Sequence, residues 1–439
     1  MKVLWLCNYI LPKAASDLGI EGIPKEGWVE GLLEAMKDTF FPAGKSGDKA
    51  LASNHQALTL AVCFPVPEYL DGKKGTWYYC FSEDTVHPEK YDLLLESKMD
   101  RILDDFRPDV IHIFGTEFPH TLAMMKAATG DDLHYHLDKE KILITFQGVC
   151  SAIAADYLSS LPDKVVSGKT FRDKVRKDSI MDQQDKFRKR AAIELESLKL
   201  TGNIGGRTEF DKKWAGRLNP DAKYHYAGEV MRRIFYEPLP EKNKRDENVI
   251  FVAGADYPIK GFHYLLTALK DIRWPELKIR VAGQDIVSKS KIKISGYGRY
   301  LSELIEKCGL TGKVEFLGRI PADKMRDEYL NCGIFICPSS VENSPNSIVE
   351  AALMGAPVIA SRVGGIPSII EDKKECLLFE CSRGKNLEEN AASLRACIEA
   401  VKADYDSALK RAENARVRML KDHDPMAVAS RILDIYSKI

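Results

Sequence analysis

Two glutamates eight residues apart, Glu342 and Glu350, bracket the segment Asn343-Ser344-Pro345-Asn346-Ser347-Ile348-Val349. The apolar run 332–338 precedes them, and a helix-like stretch follows that closes on Gly355. Ser344 has the side chain of an N-cap and Pro345 suits the first helical position, which leaves the N–H groups of Asn346 and Ser347 pointing out of the helix start. Donors of that kind, with the helix dipole behind them, stabilise an anion. Carboxylates only accept hydrogen bonds. Glu342 before the helix and Glu350 about 9 Å along it therefore suit hydroxyl groups on either side of a bound phosphate, the layout of a nucleotide sugar. The spacing alone is weak, since glutamates at this separation are ordinarily solvated, and the rest of the chain has to carry the reading.

Strand-like runs alternate with amphipathic stretches throughout: 3–7, 58–63, 76–81, 110–114, 142–146, 203–206 and 223–226, then 249–253, 278–282, 314–317, 334–337, 357–360 and 376–379. The alternation predicts an α/β chain of two doubly wound, mainly parallel sheets, with ligands at the carboxyl ends of strands. The charged, proline-punctuated segment 238–247 reads as the linker between an N-terminal domain, 1–237, and a C-terminal domain, 248–424. Lys+Arg and Asp+Glu both number 64, so nothing points to a nucleic-acid partner. No apolar run approaches the roughly 18 residues of a membrane span, and a soluble protein is expected. Ten cysteines lie scattered without a Cys-x-x-Cys pair, as expected of free thiols in the cytoplasm. Asp422-His423-Asp424, just before Pro425, reads as a helix cap and not as a metal site.

The strand-like 332–338, the Glu342-x7-Glu350 segment with its helix, then Gly355-Ala356-Pro357-Val358-Ile359-Ala360 and Val363-Gly364-Gly365-Ile366-Pro367, resemble the retaining family-4 (group 1) glycosyltransferases of GT-B fold. The resemblance covers the C-terminal half closely and the N-terminal half more loosely. It implies two Rossmann-like domains facing each other across a cleft, with the helix 425–439 packing back on the first. It also implies a nucleotide-diphospho sugar as donor, with no metal and no cofactor. By resemblance Glu342 binds hydroxyls of the donor sugar and Glu350 the ribose. Lys260, at the turn after 249–253, is placed to bind phosphate as a point charge. The family shows Gly-Arg followed five residues later by Lys-Gly; here Gly254 is followed by Ala255, so one expected cation is missing. Arg207, Arg319 and Arg362, each near a strand end, are candidates to replace it, Arg207 from the opposite domain. Gly364-Gly365 permits close backbone approach to the donor. Leu317-Gly318-Arg319 falls near the nucleobase, and uracil, guanine and adenine all remain open.

In the N-terminal half, 110–114 runs into Gly115-Thr116-Glu117-Phe118-Pro119-His120. Strand alternation packs His112 inside, whereas Glu117 and His120 lie past the strand end, where an acceptor binds. The next strand ends at Gln147, where many relatives carry His. A glutamine can hold hydroxyls but cannot move protons, so the leaving diphosphate takes the acceptor proton. The long first turn, 9–27, reads as a loop over the acceptor. From 164 to 190 ten Lys/Arg and four Asp interleave with Val165, Phe171, Val175, Ile180, Met181 and Phe187. Such a stretch suits anionic headgroups or a phosphorylated lipid carrier, or it is a solvated helix face.

Together these readings predict a cytoplasmic, metal-independent hexosyltransferase acting with retention on a glycan or lipid-linked acceptor in surface polysaccharide or glycolipid assembly. Peripheral contact with the inner face of the membrane through 164–190 is part of that expectation. Two alternatives stay open: a nucleotide-sugar-binding module without transfer activity, motivated by Ala255 and Gln147, and a GT-B epimerase or phosphorylase.

Overall fold

Aliphatic and β-branched runs bounded by Gly, Pro and Asn form two sheets in the computed structural model, which describes residues 1–20, 27–40, 58–75, 77–130, 134–158, 160–241, 244–382 and 385–439. The first sheet contains β1 (Lys2–Cys7), β2 (Thr59–Val66), β3 (Gly72–Lys74), β4 (Tyr78–Ser82), β5 (Val110–Phe114), β6 (Ile142–Thr145), β7 (Asn203–Gly206) and β8 (Lys223–Tyr226). Its order is β3-β4-β2-β1-β5-β6-β7-β8, parallel except for the β3–β4 pair. The second contains β9 (Asp246–Val252), β10 (Lys278–Val281), β11 (Val314–Phe316), β12 (Cys332–Cys337), β13 (Val358–Ser361) and β14 (Leu377–Phe379). Its order is β11-β10-β9-β12-β13-β14, parallel throughout. In each sheet the strand order reverses beside the first strand, between β1 and β5 and between β9 and β12, and the loops at such a switch point splay apart to leave a crevice.

The central strands β5, β6, β12 and β13 are buried along their whole length, as parallel strands covered on both faces must be. His112 is the polar exception in β5. It is fully buried, with Nδ1 2.6 Å from the Tyr436 hydroxyl and Nε2 2.7 Å from Thr145 Oγ1. Burial pushes its pKa down to about 3, so it is the packed, neutral strand histidine that alternation predicts. The Trp5 indole N–H donates to the same Tyr436 hydroxyl (2.9 Å), tying the helix Pro425–Lys438 to the centre of the first sheet.

The chain divides into two compact units, Met1–Ser151 with Phe187–Arg232 and His423–Ile439, and Ala152–Lys186 with Arg233–Asp422. The terminal helix falls in the first unit. Residues 152–186, assigned to the N-terminal domain from sequence, fall in the second. The anchors responsible are polar and distant in sequence. Asp173, buried in a capping box with Thr170, accepts the N–H of Gly296 at 2.9 Å, and Ser160 Oγ accepts from the Asn390 amide at 2.9 Å. The expected linker is also partly structured. β9 already begins at Asp246, and Arg245 donates to the carbonyls of Tyr329 (2.6 Å), Cys332 (3.2 Å) and Met354 (2.6 Å). Residues 242 and 243 of that segment lie outside the described residues.

In the first turn the expected loop contains a short helix, Pro12–Asp17, and residues 21–26 lie outside the described residues. All ten cysteines are free, eight of them buried. Among the described residues no helix is long and apolar enough to cross a membrane.

Candidate active site

The switch point of the second unit brings Lys260 and Glu342 together. Lys260 closes the single 3-10 turn Pro258–Lys260 after β9, and Glu342 stands in the loop after β12, the neighbouring strand. Lys260 Nζ lies 2.6 Å from Glu342 Oε1, which also accepts from Ser339 Oγ at 2.8 Å. Burial opposes the lysine charge, but the attraction and hydrogen bond of the Glu342 carboxylate outweigh it and raise the ammonium pKa above its ordinary value. The lysine side chain is still 38% exposed, so the pair is open to a ligand on one side.

The loop is braced from beneath. Ser340 N–H donates to Ile259 O (2.8 Å) and Ser361 Oγ to Ser339 O (2.6 Å), joining the ends of β9, β12 and β13. Gly365 N–H reaches Glu342 O at 3.0 Å. Gly364 has a φ of +54°, and a Cβ there would sit 1.7 Å from Glu342 O, so the close approach of Gly364-Gly365 to the site requires glycine at 364.

The helix Asn346–Leu353 starts one residue later than the sequence suggests. Pro345, not Ser344, occupies the cap, and Ile348 N–H returns to Pro345 O at 3.0 Å. The proline ring fixes φ at the cap (−75°) and leaves Ser344 buried in the loop. With the cap shifted, the N–H groups of Asn346 and Ser347 have no acceptor among the described residues, and Asn346 Oδ1 is buried without a partner. Glu350, 7% exposed, accepts from the Tyr329 hydroxyl at 3.1 Å.

Of the three arginines proposed to replace the missing cation, two are already engaged. Arg207, 6% exposed in the first unit, pairs with Glu229, donates to Phe146 O at 3.1 Å and stacks 5.0 Å from the Trp28 ring. A phosphate contact by Arg207 would require breaking that buried pair, which corrects its reading as a free donor-site cation. Arg362 bridges Asp372 and Glu380. Arg319 is exposed and is the one of the three without a salt bridge among the described residues. Its charge acts on Asp256, beside Ala255, whose carboxyl is pushed up chiefly by burial and whose Oδ1 is buried without a partner. Gly254 faces open space.

In the first unit Glu117 and Gln147 converge at the corresponding switch point, through a residue that sequence reading passed over. Asn8, directly after β1, donates from Nδ2 to Glu117 Oε2 (2.9 Å) and to Gln147 Oε1 (3.2 Å). Burial raises the Glu117 pKa, opposed by Arg190, whose Nε donates to Glu117 O at 2.9 Å, and by the bond from Asn8. His120 is fully buried at the start of the helix Pro119–Thr129, with Nδ1 2.6 Å from Glu83 Oε2 and Nε2 3.2 Å from Asn8 Oδ1. It therefore stands behind the site, which corrects its reading as a side chain in direct reach of substrate. Buried Glu194 fixes the flanking loops, accepting from Thr116 Oγ1 (2.7 Å), Cys150 N (2.9 Å), Ser151 N (3.0 Å) and Ser151 Oγ (2.8 Å). Asn8 and Glu83 each follow a strand, the one signal by which sequence could have found them; Tyr329 and Glu194 carry no such signal.

Residues 237–418 match the glycosyl transferases group 1 family. The phosphatidylinositol N-acetylglucosaminyltransferase gpi3 subunit of Schizosaccharomyces pombe is 30% identical over 137 residues, which are 31% of this chain and 28% of that protein. Among solved structures, sucrose-phosphate synthase from Thermosynechococcus elongatus aligns with 100% of this chain and 99% of its own at a TM-score of 0.68 and 14% identity. Anabaena Alr3699/HepE in complex with UDP-glucose aligns over 100% of both chains at a TM-score of 0.60 and 15% identity. The likeness is one of fold, and the fold is GT-B.

Proposed function

We propose that this chain is a glycosyltransferase that moves a hexosyl group, with retention, from a nucleotide-diphospho sugar to a glycan or lipid-linked acceptor in surface polysaccharide or glycolipid assembly. One observation carries the reading: the half-open pair joins Lys260 to Glu342, which stands in the loop that leads into the helix start at Asn346, where the amides of Asn346 and Ser347 have no acceptor among the described residues. A diphosphate supplies the anion those donors lack, and a sugar hydroxyl can donate to Glu342 when Lys260 turns to phosphate. The match of residues 237–418 and the UDP-glucose bound by the Anabaena structure support it.

In this reaction the bond between the anomeric carbon and the diphosphate oxygen breaks while the acceptor oxygen bonds to the same face, and the acceptor proton leaves with the diphosphate. Lys260, the two amides and Arg319 stabilise the charge that builds on the leaving group. Glu342 holds the sugar, Glu350 the ribose, and Gln147 with Glu117 the hydroxyls nearest the acceptor. The reading needs no metal and no cofactor. Incubation with UDP-, GDP- and ADP-sugars and candidate acceptors tests it: acceptor-dependent release of one nucleoside diphosphate is expected, and binding without turnover across the panel would overturn it. That second outcome belongs to a nucleotide-sugar-binding module, a reading favoured by Ala255 and by the engagement of Arg207 and Arg362 in salt bridges.

We further place the protein at the inner face of the membrane as a peripheral, cytoplasmic enzyme. Phe171, Val175 and Met181 are 63%, 67% and 50% exposed, next to Lys174, Arg176 and Lys177, which carry no salt bridge among the described residues. Exposed apolar side chains among unpaired cations suit an anionic lipid surface, at about 1 kcal/mol per cation. Sedimentation with vesicles containing phosphatidylserine should fall about tenfold or more when the three cations become glutamine; unchanged sedimentation contradicts the placement.

A further inference from the structure

Where the resemblance calls for an arginine after Gly254, this chain has Ala255 and then an acid, Asp256. A carboxylate beside a diphosphate site repels the ligand unless it serves a cation. Asp256 Oδ1 is buried and has no hydrogen-bond partner, a costly state for a carboxylate oxygen. The complementary group is Arg319, just past β11, exposed and without a salt bridge among the described residues. Burial pushes the Asp256 carboxyl up, and the charges of Arg319 and Lys260 are among the groups that pull it back. Of those two cations Lys260 is already held by Glu342 at 2.6 Å. Asp285, the acid in the loop after β10, is likewise occupied, accepting the N–H groups of Val287 and Ser288 at 2.9 Å each. That leaves Arg319 for Asp256.

The two residues follow β9 and β11, which flank β10 in the second sheet. The strands that carry them are two spacings apart, about 10 Å, a gap that an aspartate and an extended arginine span together only if nothing stands between them. Gly283, past the end of β10, has a φ of +129°, and a Cβ there would lie 2.8 Å from Asp256 Oδ1. Its N–H donates to Gly318 O at 2.8 Å, which ties the residue before Arg319 to the same strand end. At Gly254 and Gly318 a Cβ would meet nothing within 4 Å. The three strand ends therefore present backbone and leave the path from Arg319 to Asp256 clear. We propose that Asp256 is a positioning residue that draws the Arg319 guanidinium across Gly283 onto the donor diphosphate, so that an acid and an arginine from two strands supply the cation absent at Ala255. No salt bridge joins the two in this structure, so Arg319 turns inward when the anion arrives. A guanidinium carries five N–H donors in one plane; one edge meets the carboxylate and the other donors remain for phosphate oxygens. The carboxylate offsets part of the arginine's charge and gives it direction, so the expected effect is modest.

The pair rests on the reading of Lys260 and Glu342 as a diphosphate site, and one set of titrations separates the two claims. UDP, GDP and ADP are titrated by calorimetry into the wild type, Asp256→Asn, Arg319→Ala and the double variant. A carboxylate that merely stands near a diphosphate repels it, and its replacement by the isosteric amide would tighten binding. A positioning role predicts the opposite sign. Asp256→Asn should weaken binding of the diphosphate that the wild type takes by about fivefold, and Arg319→Ala by about the same factor. Once Arg319 is gone, removing the acid should cost nothing further, so the double variant should bind no more weakly than Arg319→Ala alone. Binding by Asp256→Asn that equals or exceeds the wild type overturns the pair and leaves the diphosphate site standing. So do two losses that multiply to about 25-fold in the double variant, since independent residues add in free energy. No binding of any of the three by the wild type overturns the diphosphate site and the pair with it.

Discussion

The two switch points are built from the same topology and different chemistry. Beside β9 the central contact is a charged pair, Lys260–Glu342, with the lysine 38% exposed. Beside β1 the central residue is an amide, Asn8, 2% exposed and bonded on three sides. Binding a diphosphate leaving group requires charge that can be re-shared when the ligand arrives, which an open ion pair can supply. Placing a neutral hydroxyl requires direction, which a buried amide hydrogen-bonded on three sides can supply. Under the proposed function, charge stabilisation falls to one unit and orientation to the other.

Variants that strike one switch point and spare the other test this division. The largest effect is expected at Glu342. Glu342→Ala removes the partner of Lys260 and the proposed sugar contact, and turnover should fall by about 10²–10³; a rate near wild type would end the assignment. Next comes acid stability, where buried histidines of the two units differ. His112 and His263 both have pKa values pushed down to about 3 by burial. His112 uses both ring nitrogens, whereas Nε2 of His263 has no partner. Between the ordinary value of 6.5 and about 3, the unfolded chain takes up a proton that the folded one refuses, so stability falls as pH drops through that window. The loss is about 1 kcal/mol per pH unit for each residue. Denaturant melts of His112→Gln and His263→Gln should each show a shallower acid slope than wild type. At neutral pH the His112 variant should be the less stable of the two, because it breaks a satisfied network. Equal slopes in all three proteins would show that neither ring is held neutral. The smallest effect belongs to Arg319→Ala, which removes one exposed cation and should weaken nucleotide binding less than tenfold by calorimetry; a larger loss would make Arg319 the full replacement for the arginine absent at Ala255.

Much of this division was legible in the sequence, and the reasons for what was not are physical. Val110–Phe114, Asn203–Gly206 and Lys223–Tyr226 were readable to the residue, since strand composition and bounding polar turns coincide there. Gly72–Lys74 was not, being an edge strand of glycine and lysine whose pairing with β4 is its only support. The membership of residues 152–186 depends on contacts such as Asp173 with Gly296, 123 residues apart, that no local pattern encodes. At the site, Lys260 and Glu342 could be placed because each follows a strand and the strands neighbour each other. The engagement of Arg207 by Glu229 and the burial of His120 could not, because both arise from packing between loops. The cap moved by one residue, from Ser344 to Pro345, a difference smaller than local sequence patterns resolve at a helix end.

The claim on which the division rests is that Lys260 is the cation of a nucleoside diphosphate site. Calorimetric titration of UDP, GDP and ADP into wild-type protein and into Lys260→Met tests it most directly. One diphosphate should bind the wild type, and the variant, one atom shorter and without the ammonium, should bind it about 10–100-fold more weakly, the loss of one charge-assisted hydrogen bond. Equal affinity in the two proteins, or no binding of any of the three by the wild type, would contradict the account.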